Sequence, residues 1–175
     1  MKKAVLSICI LLCFVFMGIM FDFSNTPYKQ QDIKPLLAQY MHLNAYSLPH
    51  VQFHYYGTLV TSTMPYDFIE FFIRKASHVT EYTILTLLFL ITFSCTSISL
   101  RKAVPIAMIL SFLYACLDEW HQSFVPDRTG HIIDVVTFDS FGIIIGTLLF
   151  GIGRSIYTRK KRKQLSIEKR QSVAE

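Results

Sequence analysis

The chain has 175 residues, 52% of them hydrophobic and only 17% charged, with a formal net charge of +5. This length would suit one soluble domain, but the apolar residues come in long blocks instead of at amphipathic spacing. Basic residues following an apolar block are expected to orient it against anionic lipid, which excludes reading the net charge as a nucleic-acid surface.

The first block, residues 4–21, follows Lys2-Lys3 and has the outline of a signal peptide. Its apolar run is long for that role, and Phe21-Asp22-Phe23-Ser24-Asn25 is a poor cleavage sequence, so it is expected to stay as a helix. Further blocks cover about 76–98, 103–120 and 132–153. A span takes about 20 residues. The first and fourth blocks reach that length, and the second and third reach it when their polar ends sit at the interface. The expected fold is all-α: a polytopic four-transmembrane-helix bundle, one integral membrane domain over 1–175, with an extracytoplasmic loop after the first helix.

That loop, 22–75, is too short for a substantial core of its own. Tyr28, Tyr40, Tyr46, Phe53, Tyr55, Tyr56 and Tyr66 suit the bilayer interface. Residues 33–42 read as a short helix with Pro35 in its first turn. Residues 53–61 read as a hairpin around Gly57, and 67–75 as an interfacial lead-in to the second span.

Four spans put both termini on one side. That side holds Lys2, Lys3, Arg101, Lys102 and eight basic residues of the tail 154–175, twelve of the seventeen Lys and Arg. The positive-inside rule makes it the cytoplasm, at the cell membrane. All six histidines and nearly all acids then lie on the outer side. Cys9, Cys13, Cys95 and Cys116 lie in the spans and read as small buried residues, without disulfide or metal chemistry.

Three polar clusters stand at the ends of the spans: Arg74-Lys75-Ala76-Ser77-His78 to Glu81-Tyr82, Asp118-Glu119-Trp120-His121-Gln122, and Arg128 to Asp134. Ionisable groups in lipid are costly and are kept where they pair or work. At about 100° per residue, Lys75, His78 and Tyr82 share a stripe with Glu81 further round. Ser111, Tyr114, Asp118 and Gln122 share another, with His121 adjacent and Glu119 to one side. Asp134 falls in the first turn of the fourth span, and Asp139 on the side of Gly142 and Gly146, whose spacing permits close helix contact. Topology puts all three clusters at one depth, so a single outer-face polar site follows if those helices are neighbours.

Phe68 to Tyr82 resembles the KxxHxxEY motif of the VanZ-like membrane proteins. Asp118-Glu119-Trp120-His121-Gln122-Ser123-Phe124-Val125-Pro126-Asp127-Arg128 resembles that family's DExxQxFxPxR motif, and Asp134 with Gly142 and Gly146 its closing aspartate and glycine-rich helix. Phe23-Ser24 and Gln31-Asp32 also fit, so the resemblance runs to about Gly153. It carries over Lys75, His78, Glu81, Tyr82, Asp118, Glu119, Gln122, Arg128 and Asp134. One position departs. The family places Asn or Asp one turn after the closing aspartate, where this chain has Phe138 followed by Asp139. Either Asp139 takes that place through a local bulge, or the role is lost.

The resemblance implies a cell-envelope membrane protein linked to low-level resistance to the glycopeptide teicoplanin in Gram-positive bacteria, and it supplies no reaction. Three readings of the cluster stay open. As a binding or transport site, Lys75 and Arg128 hold an anionic or lipid-linked envelope ligand, such as a cell-wall precursor. As an enzyme, His78 and Glu81 at i, i+3 join Asp118, Glu119 and Asp134 around a hard cation, or His78 or Glu119 acts as general base on a lipid-linked substrate. As a structural lock, Lys75 and Arg128 neutralise Asp118, Glu119 and Asp134. His78 and Glu119 are the strongest candidates for a catalytic role, Tyr82 and Gln122 are equally suited to support, and the cofactor and metal are left unassigned.

Overall fold

The computed structural model describes the backbone of residues 2–174 and the side chains of residues 2–168. The end of the basic tail, including Lys169 and Arg170, lies outside the described side chains.

Four helices are long and apolar enough to cross a membrane: Lys2–Asn25, Pro65–Ser94, Leu100–Gln122 and Ile132–Glu168. In hydrocarbon every backbone amide must be satisfied within the segment, and these apolar runs do so as helices. The first is α1 (Lys2–Asn25). Two short helices follow, α2 (Tyr28–Gln31) and α3 (Lys34–Tyr40), the latter with proline in its first turn as its sequence predicts. Strands β1 (Gln52–Tyr55) and β2 (Thr58–Thr61) form an antiparallel hairpin. Its two-residue turn carries positive φ at both Tyr56 (47°) and Gly57 (81°), the geometry that matches strand twist.

Helix α4 (Pro65–Ser94) begins at Pro65, so the lead-in expected over 67–75 and the apolar block from 76 are one continuous helix. Proline is tolerated there because the first-turn amides lack intrahelical partners anyway. Helix α5 (Leu100–Gln122) ends on its polar cluster. The fourth passage starts as a single turn, α6 (Ile132–Asp134), continues as a π-helical turn over Val135–Asp139, and proceeds as α7 (Ser140–Ala174).

Small and hydroxyl side chains hold the bundle, as expected where lipid supplies no hydrophobic drive between helices. The α4–α7 contact is the most extensive. A side chain on Gly142 would strike the Val79 carbonyl, and one on Gly146 would come within 2.7 Å of the Thr83 carbonyl. Thr83 Oγ1 donates to the Gly142 carbonyl across this seam at 3.0 Å. Thr86 Oγ1 donates to Ser111 Oγ at 2.9 Å, joining α4 to α5, and Tyr114 OH donates to the Met17 carbonyl at 2.6 Å, joining α5 to α1. The core cluster of Met20, Tyr82, Leu85, Ala115, Val135 and Ile143 draws on all four passages.

Candidate functional site

The last turns of α1 and α5, the middle of α4 and the π turn meet, and the hairpin packs there as well. His78, on α4, places Nδ1 3.0 Å from Asp139 Oδ1 and 3.8 Å from Glu119 Oε1. Asp139 is wholly buried and Glu119 nearly so. Glu119 is pinned from its other side, where its Oε2 accepts the His131 backbone N–H at 2.7 Å. The loop can approach that closely because residue 130 is glycine; a Cβ there would collide with the Glu119 carbonyl.

Asp139 reaches His78 through the π turn. In a continuous α-helix the residue a turn beyond Asp134 would be Phe138. The π turn closes over five residues, which brings Asp139 to the inner face. Ser140 Oγ fastens the turn by donating to the Val135 carbonyl at 2.7 Å. Phe138 is displaced towards the hairpin, its ring 6.1 Å from that of Tyr55. Of the two alternatives left open by the sequence, the local bulge is the one present.

Lys75 Nζ bonds Asp134 Oδ1, forming an ion pair whose side chains are 14% and 5% exposed. Tyr55 OH donates to the same oxygen at 2.6 Å, tying the hairpin to the fourth passage. The Lys75 ammonium also lies over the rings of Tyr55, Phe71 and Phe138, which favours a desolvated cation. Burial, aided by the Asp134 carboxylate, raises the Tyr55 phenol above its ordinary pKa.

Asp118 accepts from Gln122 Nε2 at 3.0 Å, one turn along α5. Arg128 donates from one guanidinium nitrogen to the carbonyls of Phe23 (2.8 Å) and Ser24 (2.6 Å), a cation on the carbonyl end of α1. Its Nε is buried without a partner. Burial, followed by the nearby Arg74 charge, lowers the Arg128 pKa. Tyr82 sits in the core with its hydroxyl unpartnered.

Apart from the buried Asp139 and Tyr82, these groups line two adjoining cavities of about 490 and 350 Å³. Arg74, His78, Gln122 and Arg128 border both. The larger lobe adds Glu81, Asp118 and the α1 wall of Met20, Phe23 and Ser24, while the smaller adds Lys75, Glu119, Asp134 and Tyr55.

Eight of the nine residues carried over by resemblance therefore line the two lobes, Tyr82 lying in the core instead, but their grouping differs from the expected cation set. Among the described residues, the three whose ligand atoms converge within 4.8 Å of one another are His78, Glu119 and Asp139. Glu81 faces the other lobe, Asp118 is bonded to Gln122, and Asp134 is taken by Lys75. Neither arginine salt-bridges Asp118, Glu119 or Asp134 among the described residues, so the lock expected of Arg128 is instead a helix cap.

Several site residues escaped the sequence reading. Tyr55 read only as an interfacial ring. Arg74 heads the first polar cluster of the sequence without being a candidate site residue there, yet it borders both lobes, with its guanidinium over the Tyr28 ring at 5.1 Å. Glu70 is a buried acid that takes Tyr28 OH at 2.7 Å and the Ile33 N–H at 3.4 Å, anchoring the loop on α4. Burial and that Glu70 contact raise the Tyr28 pKa. The Phe68-Ile69-Glu70 run beside the histidine motif was the one available signal for Glu70. His121 stacks on Phe21 and lies 3.3 Å from Asn25 Oδ1, outside the crevice lining.

A family model described as VanZ/LLP1 matches residues 8–154. No curated protein and no solved structure matches the chain.

Proposed function

The chain belongs to the VanZ/LLP1 family, and from that premise we propose that it is a cell-envelope membrane protein whose crevice binds an anionic, lipid-linked envelope ligand. The basic tail and short basic 97–102 loop put the termini in the cytoplasm by the positive-inside rule, so the crevice opens in the outer leaflet. One observation carries the reading: Arg74 and Arg128 stand between two polar lobes, and Arg128 retains an unpartnered buried Nε. Such a donor suits a phosphate or carboxylate, and the Met20 and Phe23 wall suits the adjoining lipid chain. Sequestering a cell-wall precursor there would give low-level protection against a glycopeptide that targets it.

A second reading has its own support. The contact of His78 with Asp139, and Glu119 beside it, is an arrangement of general-base type, so an enzyme acting on the same lipid-linked substrate is the alternative.

Teicoplanin susceptibility in a Gram-positive host lacking this chain tests both readings, with wild type, Arg128→Gln, His78→Ala and Glu119→Gln compared at matched membrane abundance. Resistance lost with Arg128→Gln alone supports binding, and resistance lost with all three supports chemistry at the crevice. Full resistance from every variant would leave neither reading standing.

A further inference from the structure

We propose that His78, Glu119 and Asp139 form a site for one divalent cation of the first transition series, with its open coordination positions facing the crevice. The inference goes beyond the ligand reading, because such an ion can bind whether or not the crevice takes an anion.

The first support is spacing. Bonds of about 2.1 Å to imidazole nitrogen and carboxylate oxygen set neighbouring ligand atoms about 3.0 Å apart at a right angle and about 3.4 Å apart at the tetrahedral angle. The separations from His78 Nδ1, 3.0 Å to Asp139 and 3.8 Å to Glu119, bracket those values. The carboxylate–carboxylate edge lies within 4.8 Å, so a small inward movement of one carboxylate closes the set.

The second support is charge. Asp139 is wholly buried, and its Oδ2 has no hydrogen-bond partner. Glu119 is buried beside it. A buried carboxylate needs a partner charge, and no Lys or Arg among the described residues salt-bridges Asp139 or Glu119: Lys75 pairs with Asp134, Arg128 Nη1 is bonded to the end of α1, and Arg74 lies over the Tyr28 ring. A dication with a neutral imidazole and two carboxylates leaves the centre uncharged.

The third support is the construction around the ligands. The His131 N–H holds Glu119 Oε2 and leaves Oε1 towards His78, the outer-shell orientation that tunes metal ligands. The π turn, an uncommon element that recurs at functional sites, brings Asp139 inward. His78 borders both lobes of the crevice, so water or a ligand oxygen has access to the remaining positions. One imidazole with two carboxylates suits zinc or manganese better than a soft ion.

The test uses the full chain purified in detergent and stripped with chelator, then titrated with Zn²⁺ or Mn²⁺ by calorimetry in two buffers of different ionisation enthalpy. We expect one ion per chain, with proton release as the ion displaces the proton shared by His78 and its carboxylates. Asp139→Asn should weaken binding by at least ~10-fold, while Asp67→Asn, at the start of α4 and away from the crevice, should leave it unchanged. A separate signature guards against misfolding of the asparagine variant. H78C loaded with Co²⁺ should show a thiolate-to-cobalt charge-transfer band that wild type lacks. Wild-type binding that persists unchanged in Asp139→Asn, a stripped wild type that takes up no ion, or a folded H78C without the band would each overturn the proposal.

Discussion

Asp134 and Asp139 stand five residues apart on the fourth passage, yet both face α4, Asp134 bonding Lys75 and Asp139 lying 3.0 Å from His78. On α4 those partners are three residues apart, close to one α-helical turn. The two registers match because the turn between the aspartates is π, so the extra residue is absorbed locally.

A deletion tests that register. Removing Val136, which is exposed, should convert the π turn to ordinary α-helix with Asp139 now four residues after Asp134 and still facing His78. Thermal unfolding in detergent should change by less than about 1 kcal/mol, within the range of ordinary surface changes and small repacking. Removing Ile144 from the regular part of α7 should instead rotate every later contact and abolish folding.

The Lys75–Asp134 pair is buried enough that losing one partner should cost more than losing both. Lys75→Met leaves an uncompensated carboxylate and should destabilise by about 3–5 kcal/mol. The double variant Lys75→Met with Asp134→Asn should recover most of that loss. A double-mutant cycle read by thermal unfolding measures the coupling, and additive losses would contradict the pairing.

Gly142 and Gly151 lie on the same helix but face different surroundings. A Cβ at Gly142 meets the Val79 carbonyl, whereas Gly151 has open space around it. Gly142→Ala should therefore cost about 1–3 kcal/mol through overpacking, with Gly151→Ala near neutral or stabilising through helix propensity. Comparing the two by thermal unfolding isolates the helix seam.

Tyr28 and Tyr55 should hold their protons above the ordinary tyrosine value near 10. With the folded pKa raised, their contribution to stability is complete below that value and is lost as pH rises through the raised one. Ultraviolet titration of wild type against Tyr55→Phe should show the high-pH phenolate component reduced in the variant. At neutral pH, Tyr55→Phe should cost about 1.5–3 kcal/mol, the range for a hydrogen bond to a charged group.

Much of this arrangement can be read from the sequence because bilayers impose coarse rules. Four apolar blocks, polar residues crowded at their ends, and glycines four apart on the last block all have direct physical meaning. The hairpin was equally legible from Gly57. What escaped depended on tertiary pairing or on a change of helical register. A tyrosine in a strand does not announce that it will bond an aspartate far along the chain, and Glu70 looked like part of an interfacial ramp. Glu119 seemed off to one side of its helix because stripe reasoning assumes one neighbour per helix, whereas it lies between His78 and the His131 backbone. The glycine side of the last block already points Asp139 inward, but its standing one turn beyond Asp134 depends on the turn between them being π, since the α period assigns that position to Phe138.

The end of α1, with the carbonyls of Phe23 and Ser24 in its last turn, is capped by Arg128, which is made more than a hundred residues later. Synthesis therefore delivers the wall of the crevice first and its fastening last. His78 enters the membrane before Glu119, and Asp139 arrives with the final passage. Until then Lys75 and His78 on α4 lack the Asp134 and Asp139 carboxylates that they meet in the finished bundle. A chain halted after α5 would display an unfinished and charged surface, a plain mark for quality-control proteolysis.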